Sequence, residues 1–294
     1  MSPEPLSVSL TFDFDAMSVW LAGTSDPAAI SRGEFGAVAI ERILALLQRH
    51  RARATFFIPG HTALAYPFLV REIRDAGHEI GHHGWVHENP ALLSAHAERE
   101  VFVRGLDALQ RAAEISPVGY RSPAAAFSES TIEVLLEHGM LYDSSCSGSD
   151  FTPYYLRQGD VYSTSEPYRF GEASELLEMP FSWILDDFPH FEFEVGWSTE
   201  QSSPSRVREI WEGEFDYALR ASPGGTFVLC MHPQVIGRGH RLDMLDSIVA
   251  HMASADVVFE PLVEYATRWC DTHPLAEWRG SDDIHARAAR EALG

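Results

Sequence analysis

Two aspartates separated by one residue close the first apolar run of the chain, Leu10-Thr11-Phe12-Asp13-Phe14-Asp15. Residues two apart on a strand share a face, so Asp13 and Asp15 point one way while Phe12 and Phe14 point the other. Paired carboxylates repel, and one is driven toward its protonated form unless a cation lies between them. As a bare pattern the pair reads either as a turn at a strand exit or as one metal ligand beside one general base. A second group follows at Gly77 to His87, where His78, His82, His83 and His87 stand within ten residues of a chain that has 14 histidines in all. His83 and His87 are four apart, a spacing that puts two imidazoles on one side of a helical turn and suits a divalent metal. His82 alternates to the opposite face and reads as a supporting residue, and His78 as structural.

Three further places offer chemistry. In Gly119-Tyr120-Arg121-Ser122-Pro123 the proline biases Ser122 toward an extended backbone. That would hold Arg121 at a strand exit, where a guanidinium can pair with a carboxylate and keep it ionised. Leu229-Cys230-Met231-His232-Pro233 ends a strongly apolar strand abruptly in a histidine, a candidate acid or base. Trp183-Ile184-Leu185-Asp186-Asp187-Phe188 offers an aromatic wall, Trp183, and a carboxylate that either orients His232 or belongs to a turn.

The elements that must position these residues alternate. Short apolar runs (Leu6–Phe12, Thr55–Ile58, Leu176–Phe181, Thr226–Met231, Val257–Phe259) are separated by helical patterns. Ile40, Ile43, Leu44 and Leu47 recur at helical spacing, as do Leu69, Ile73 and Ala76 before Gly77. A longer helix is expected over 92–114, another from Ser128 to Gly139, and a third from Ser203-Pro204. Strands alternating with helices imply parallel βαβ units, in a barrel or a doubly wound sheet. In both, chemistry gathers at the C-terminal ends of strands, where all five features fall. No linker, repeat or low-complexity tract divides the chain, so residues 1–294 read as one catalytic domain. Residues 17–36 read as a long loop after the first strand, a lid or binding loop in which Trp20 would close over a pocket. Arg32 there would hold a substrate oxygen or make a surface pair. The tail, 275–294, reads as a short charged helix, with Leu275 and Trp278 pointing to a homo-oligomer contact if exposed.

Composition narrows the partners. The chain carries 43 Asp and Glu against 22 Lys and Arg, a net charge of −21. Such a charge repels phosphate backbones and anionic headgroups, which argues against nucleic-acid and membrane-surface binding. The 45% hydrophobic content is too high for a disordered acidic protein. No run approaches the roughly 20 apolar residues of a spanning helix, and Leu6–Phe12 has no basic flank of a signal peptide. Three widely spaced cysteines, Cys146, Cys230 and Cys270, suit free thiols in a reducing compartment. A soluble, cytoplasmic protein is expected.

Taken in order, the five features resemble those of the polysaccharide deacetylase (NodB-homology) superfamily, from Leu6 to about Trp269. The family's T-F-D-D stands here as Thr11 to Asp15, with Phe14 inserted. Its H-E-I-G-x-H-x-x-x-H-P motif stands at His78 to His87, with Glu88-Asn89 before Pro90. Its arginine-proline and histidine-proline motifs stand at Arg121-Ser122-Pro123 and His232-Pro233. An intracellular branch is more similar still, through the strings at Asp13–Ala16, Ser31–Gly33, His83–Pro90, Asp150–Tyr155 and Trp183–Asp187. That branch is similar to cytoplasmic peptidoglycan-deacetylase-like proteins, to cyclic imide hydrolases and, more distantly, to a ureide-opening allantoinase.

The resemblance implies a distorted (β/α)7 barrel and a zinc ion, or another divalent metal, held by Asp15, His83 and His87. It implies Asp13 as general base, Arg121 as its tether and His232 as general acid, with Asp187 keeping His232 cationic and Trp183 walling the pocket. The inserted Phe14 leaves open which aspartate is base and which is ligand. The activity implied is hydrolysis of a non-peptide carbon–nitrogen bond in a small-molecule amide. A lid over a small pocket favours a cyclic imide or ureide over an N-acetylated sugar or peptidoglycan fragment. Two other readings rank below: a non-haem iron enzyme, since two histidines and a carboxylate also form its facial triad, and a non-catalytic binding protein.

Overall fold

The computed structural model describes residues 4–193 and 201–292. Nine strands form its sheet: β1 (Leu6–Asp13), β2 (Ala54–Ile58), β3 (Glu79–His82), β4 (Gly119–Tyr120), β5 (Tyr142–Asp143), β6 (Tyr154–Gln158), β7 (Glu172–Glu178), β8 (Thr226–Met231) and β9 (Val257–Phe259). Their order is β6-β7-β5-β4-β3-β2-β1-β8, with β9 beside the first residues of β1. All pairings are parallel except β6 with β7. The gap between β7 and β8 is closed not by a ladder but by the chain that follows β7, where Asp186 makes a single parallel bridge to Cys230. The parallel strands β1–β5, β7 and β8 therefore curl into the expected distorted (β/α)7 barrel, closed at one point near its mouth.

β1 is buried at every position because both its faces are covered, as in other parallel sheets. Val8, Leu10, Phe12 and Phe14 face outward and pack with Ile40, Ile43 and Leu47 of the helix Pro27–His50. Ser9, Thr11 and Asp13 occupy the other face. There Ser9 donates to the Glu260 carbonyl (3.2 Å) and Thr11 to the Leu229 carbonyl (2.9 Å). A polar barrel interior beneath an apolar shell is what allows carboxylates to survive at the strand ends.

Three expectations need correction. Residues 17–36 are not a long loop: Ser18–Leu21 is a short helix, and the long helix begins at Pro27, not near Ile40. Asp26 caps it by accepting from the Ala28 amide (3.0 Å), with Pro27 in the first turn. Gly33 and Gly36 lie on its buried face, and their missing side chains hid the apolar period. The longer helix expected over 92–114 runs Ala95–Ala113, capped by Ser94. In the tail, Trp278 is buried against Tyr155 (5.3 Å between rings) and Leu275 packs on the same core, so neither offers the exposed contact considered for an oligomer. Among the described residues no helix is long and apolar enough to cross a membrane.

Candidate active site

The strand ends bring Asp13, Asp15, His83, His87, Arg121, Asp187 and His232 together. Asp13 is the last residue of β1. Its Oδ1 accepts from Arg121 Nη1 (2.9 Å), and its Oδ2 lies 3.9 Å from both His83 Nε2 and His232 Nε2. Arg121, fully buried, spends its whole fork on fixed partners. Nη1 also donates to Thr11 Oγ1 (2.7 Å), Nε to the Ser144 carbonyl (2.8 Å) and Nη2 to Ser144 Oγ (2.9 Å). Its guanidinium lies 4.5 Å from the centre of the Phe57 ring. Ser122 is extended, as Pro123 requires, while Ala124 and Ala125 beyond it adopt left-handed backbone (φ 57° and 48°) at the cavity wall.

His83 and His87 do not share a helix. They bracket a turn in which Gly84 (φ 71°) and His87 itself (φ 63°) are left-handed. Glu88 ties that turn by accepting from the amides of Trp85 (3.2 Å) and Val86 (2.8 Å). The turn still brings the rings to 5.1 Å, inclined at 72°. His83 Nδ1 must donate to the Arg121 carbonyl (2.7 Å), which fixes the tautomer and leaves Nε2 facing the site.

The donor set fits a divalent cation. Ligand atoms of Asp15, His83 and His87 lie within 4.8 Å of one another. Asp15 Oδ1 and His83 Nε2 are buried 3.3 Å apart, and among the described residues neither makes a well-directed hydrogen bond, a costly state that a cation between them relieves. Burial would raise the Asp15 carboxyl, but His87, His83 and His232 outweigh it and hold it at about 2. Burial lowers His87 to about 4, so its ring is neutral and able to ligate. His83 is pulled down by burial but raised on balance by Asp13 and Asp15, a measure of how strongly the site attracts positive charge.

Across the site, His232 Nδ1 donates to Asp187 Oδ1 (2.7 Å), and the His232 amide donates to the same carboxylate (3.0 and 3.1 Å). Asp186 caps the short helix Asp187–Phe191 through the Phe188 amide (2.8 Å) and stands 3.6 Å from His232 Nδ1. Burial alone would strip His232 of its proton, but Asp186 and Asp187 outweigh it and hold the imidazole well above its ordinary value. Its Nε2 faces Asp15 Oδ2 (3.8 Å) as well as Asp13.

A cavity of about 350 Å³ opens over these groups. Asp13, His83, His87, Arg121, Asp186 and His232 line it, with Val19, Phe181, Trp183 and Phe188 as apolar walls. Trp20 and Arg32 are not on that lining. Trp20 is buried behind it, with the Arg32 guanidinium 4.0 Å over its ring, while Arg32 pairs with Glu192 and donates to the Phe193 carbonyl (2.7 Å). Sequence reasoning missed Glu88, Asp186 and the hydroxyls that anchor Asp15. Thr62 donates to the Asp15 carbonyl and is itself bonded to Ser18 (2.8 Å). It also missed Gly33, where a Cβ would stand 2.1 Å from the Ala16 carbonyl oxygen. Only the Ser31-Arg32-Gly33 string had flagged that helix, without saying why.

Comparison with known proteins agrees with the geometry. Residues 2–142 match the family described as polysaccharide deacetylase. The peptidoglycan deacetylase of Helicobacter pylori is 36% identical over 261 residues, covering 83% of this chain and 89% of the relative. The peptidoglycan deacetylase-like protein FGM2 of Gibberella zeae is 28% identical, covering 89% and 84%. A crystal structure of a Mycobacterium smegmatis protein assigned to the polysaccharide deacetylases superposes with a TM-score of 0.80 at 34% identity, covering 92% of each chain. The allantoinase Puue shares the fold, with a TM-score of 0.72 at 22% identity over 92% of this chain and 91% of that one. The chain belongs to the polysaccharide deacetylase (NodB-homology) family, and with it to the hydrolases of carbon–nitrogen bonds.

Proposed function

We propose that the protein is a metal-dependent amide hydrolase in which Asp15, His83 and His87 hold a divalent cation, zinc by preference for this donor set. The observation that carries the proposal is the buried pair of ligand atoms, Asp15 Oδ1 and His83 Nε2, facing each other at 3.3 Å without a well-directed hydrogen bond, beside a cavity with a base and a charged acid. When bound, the cation supplies Lewis acidity, lowering the pKa of a water from about 16 to about 7 and polarising the amide carbonyl. Asp13 Oδ2 takes the proton of the attacking water, while Oδ1 is pinned by Arg121 so that the carboxylate cannot rotate away. His232 Nε2–H, kept cationic by Asp187, protonates the departing nitrogen, without which an amide expels too poor a leaving group.

The substrate we favour is a small cyclic imide or ureide. The cavity's modest volume and its Phe181, Trp183 and Phe188 walls suit a flat ring. A second reading, removal of an N-acetyl group from a sugar, draws on the name of the Helicobacter pylori relative. Three unpaired cysteines accord with action in the cytoplasm. Zinc-loaded protein assayed on succinimide-like and ureide rings and on N-acetylglucosamine oligomers separates the two. Ring opening is the expected result, and acetate release from the sugars alone would reverse the ranking.

A further inference from the structure

Under the cavity, β5 and β7 run parallel and set Asp143 directly beside Glu178 in register. Both side chains are fully buried. Each has one oxygen well satisfied. Glu178 Oε1 accepts from the Ser145 and Cys146 amides (2.9 and 2.8 Å), and Asp143 Oδ1 accepts from Ser145 Oγ (2.9 Å). The other oxygens, Asp143 Oδ2 and Glu178 Oε2, accept no well-directed hydrogen bond among the described residues, the nearest alternative donor being the weak thiol of Cys146. A carboxyl oxygen of each and the Cys146 sulfur all lie within 4.8 Å of one another. Two ionised carboxylates side by side in a dry interior repel strongly, whereas a single proton between them supplies both orphaned oxygens at once.

The groups facing the pair cannot neutralise it otherwise. Arg121 on the β4 exit is the cation nearby, and its fork is committed to Asp13, Thr11 and Ser144. Cys146 on the turn, Tyr154 on β6 and Tyr120 on β4 are all pushed up by burial and stay protonated. Burial likewise raises both carboxyls, Glu178 well above its ordinary range.

The pair braces the turn that aims the arginine. Ser144 receives both Nε and Nη2 of Arg121, and Ser145 Oγ, while donating to Asp143, accepts from the Ser122 amide (2.8 Å). We propose that Asp143 and Glu178 share one proton and act as a positioning pair, holding the Ser144–Ser145 turn that aims Arg121 at Asp13. This rests on the reading above in which Asp13 is the base.

The test compares wild type, Glu178→Gln and Glu178→Ala as full-length, metal-loaded protein. A glutamine carries the shared proton permanently as an amide N–H, so it should fold and turn over within about twofold of wild type. Alanine leaves the turn unbraced, and kcat should fall about tenfold, the scale on which supporting partners of an active site act. KM and metal stoichiometry should not change. Infrared spectra near neutral pH should show an un-ionised carboxyl in wild type that Glu178→Gln lacks, over a background from Glu79 and Asp186, which burial also raises. Asp143→Asn supplies the same infrared comparison if Glu178→Ala does not fold. Three results would overturn the proposal: no carboxyl band lost, Glu178→Gln as impaired as Glu178→Ala, or a second bound metal equivalent that Glu178→Gln loses. The infrared difference needs no turnover, so a protein that hydrolysed neither substrate class would fail the functional reading and still decide this one.

Discussion

Replacing Asp187 by asparagine isolates the contribution of the acid's partner. In the native site Asp187 accepts the His232 ring N–H at 2.7 Å and the His232 amide at 3.0 and 3.1 Å. Asparagine keeps the size and can keep the amide bond, but it removes the charge opposite the imidazolium. A hydrogen bond to a charged group contributes about 1.5–3 kcal/mol against about 0.5–1.5 kcal/mol for a neutral one. The midpoints differ by about 1.25 kcal/mol, and at about 1.4 kcal/mol per pKa unit this lowers the His232 value by nearly one unit. The sign follows from the protonated form being the one stabilised. His232 is held well above its ordinary value, so its proton is lost only on the alkaline side. In Asp187→Asn that loss moves to lower pH, and the alkaline limb of kcat moves with it by about one unit. The same linkage acts on stability. A raised folded-state value stabilises fully below the unfolded histidine's pKa and is lost as pH rises through the folded one, so the variant's stability deficit from this source shrinks at high pH. Asp186→Asn is the control: it stands 3.6 Å from Nδ1 and makes no direct bond to the ring, so its limb should move less. The assay is kcat against pH on the metal-loaded protein, with metal content measured in parallel. An unmoved alkaline limb in Asp187→Asn, or a larger shift in Asp186→Asn, would refute the assignment.

Metal binding should raise the thermal midpoint. A cation at about a thousandfold above its Kd stabilises by about 4 kcal/mol, which at about 2.1 cal/mol/K per residue over 294 residues is about 7 °C. Asp15→Ala and His83→Ala should show no such rise in a melting scan, and an undiminished rise would remove them from the ligand set. Gly33→Ala drives a Cβ to 2.1 Å from the Ala16 carbonyl oxygen, next to Asp15. A loss of about 3 kcal/mol by overpacking and about tenfold weaker metal binding are expected, and wild-type melting would contradict the packing argument. Trp183→Ala opens a cavity wall without touching the reacting groups, so KM for ring substrates should rise several-fold with kcat little changed. A collapse of kcat at constant KM would give Trp183 a different role.

What the sequence made legible was decided by how local each signal is. Asp13 was located by the two-residue period of the first strand, His232 by the abrupt end of a continuous apolar run in His-Pro, and Arg121 by the proline two residues on, each a signal carried within a few positions. His83 and His87 were found by their crowding, but their helical spacing misled: two left-handed residues make a turn that reproduces the same proximity by other means. The stretch 17–36 misled for a related reason. A helix that presents glycine to its neighbour shows no apolar stripe, and Trp20 and Arg32, which look like lid residues, stack on each other behind the wall. Asp186 and Asp187 could not be told apart from Trp183-to-Asp187 alone, since one caps a helix and the other orients an imidazole only once β8 lies beside them. Glu178, in Leu177-Glu178-Met179, carries no mark at all, because its partner Asp143 is 35 positions away and is brought alongside only by strand register.

Charge balance at the floor of the cavity ties these residues to one another and to a cation. Asp13, Asp15, Asp186 and Asp187 are all buried there, against two cations, Arg121 and a protonated His232. Four ionised carboxylates against these two cations leave two positive charges wanting, and the raised His83 supplies one of them for as long as it keeps its proton. Burial first, and then the neighbouring Asp187, push Asp186 up to about 7 against the pull of His232, so without a metal ion the balance is met by protons on His83 and Asp186. Uncompensated charge of that size is costly in a dry interior, and among the described residues no lysine or further arginine lines the cavity. The divalent ion proposed at Asp15, His83 and His87 would supply that charge in place of the protons, at the point where Asp15 Oδ1 and His83 Nε2 face each other at 3.3 Å. The acidic surplus of the sequence says nothing of this, since the deficit belongs to a handful of side chains at strand ends and not to the surface.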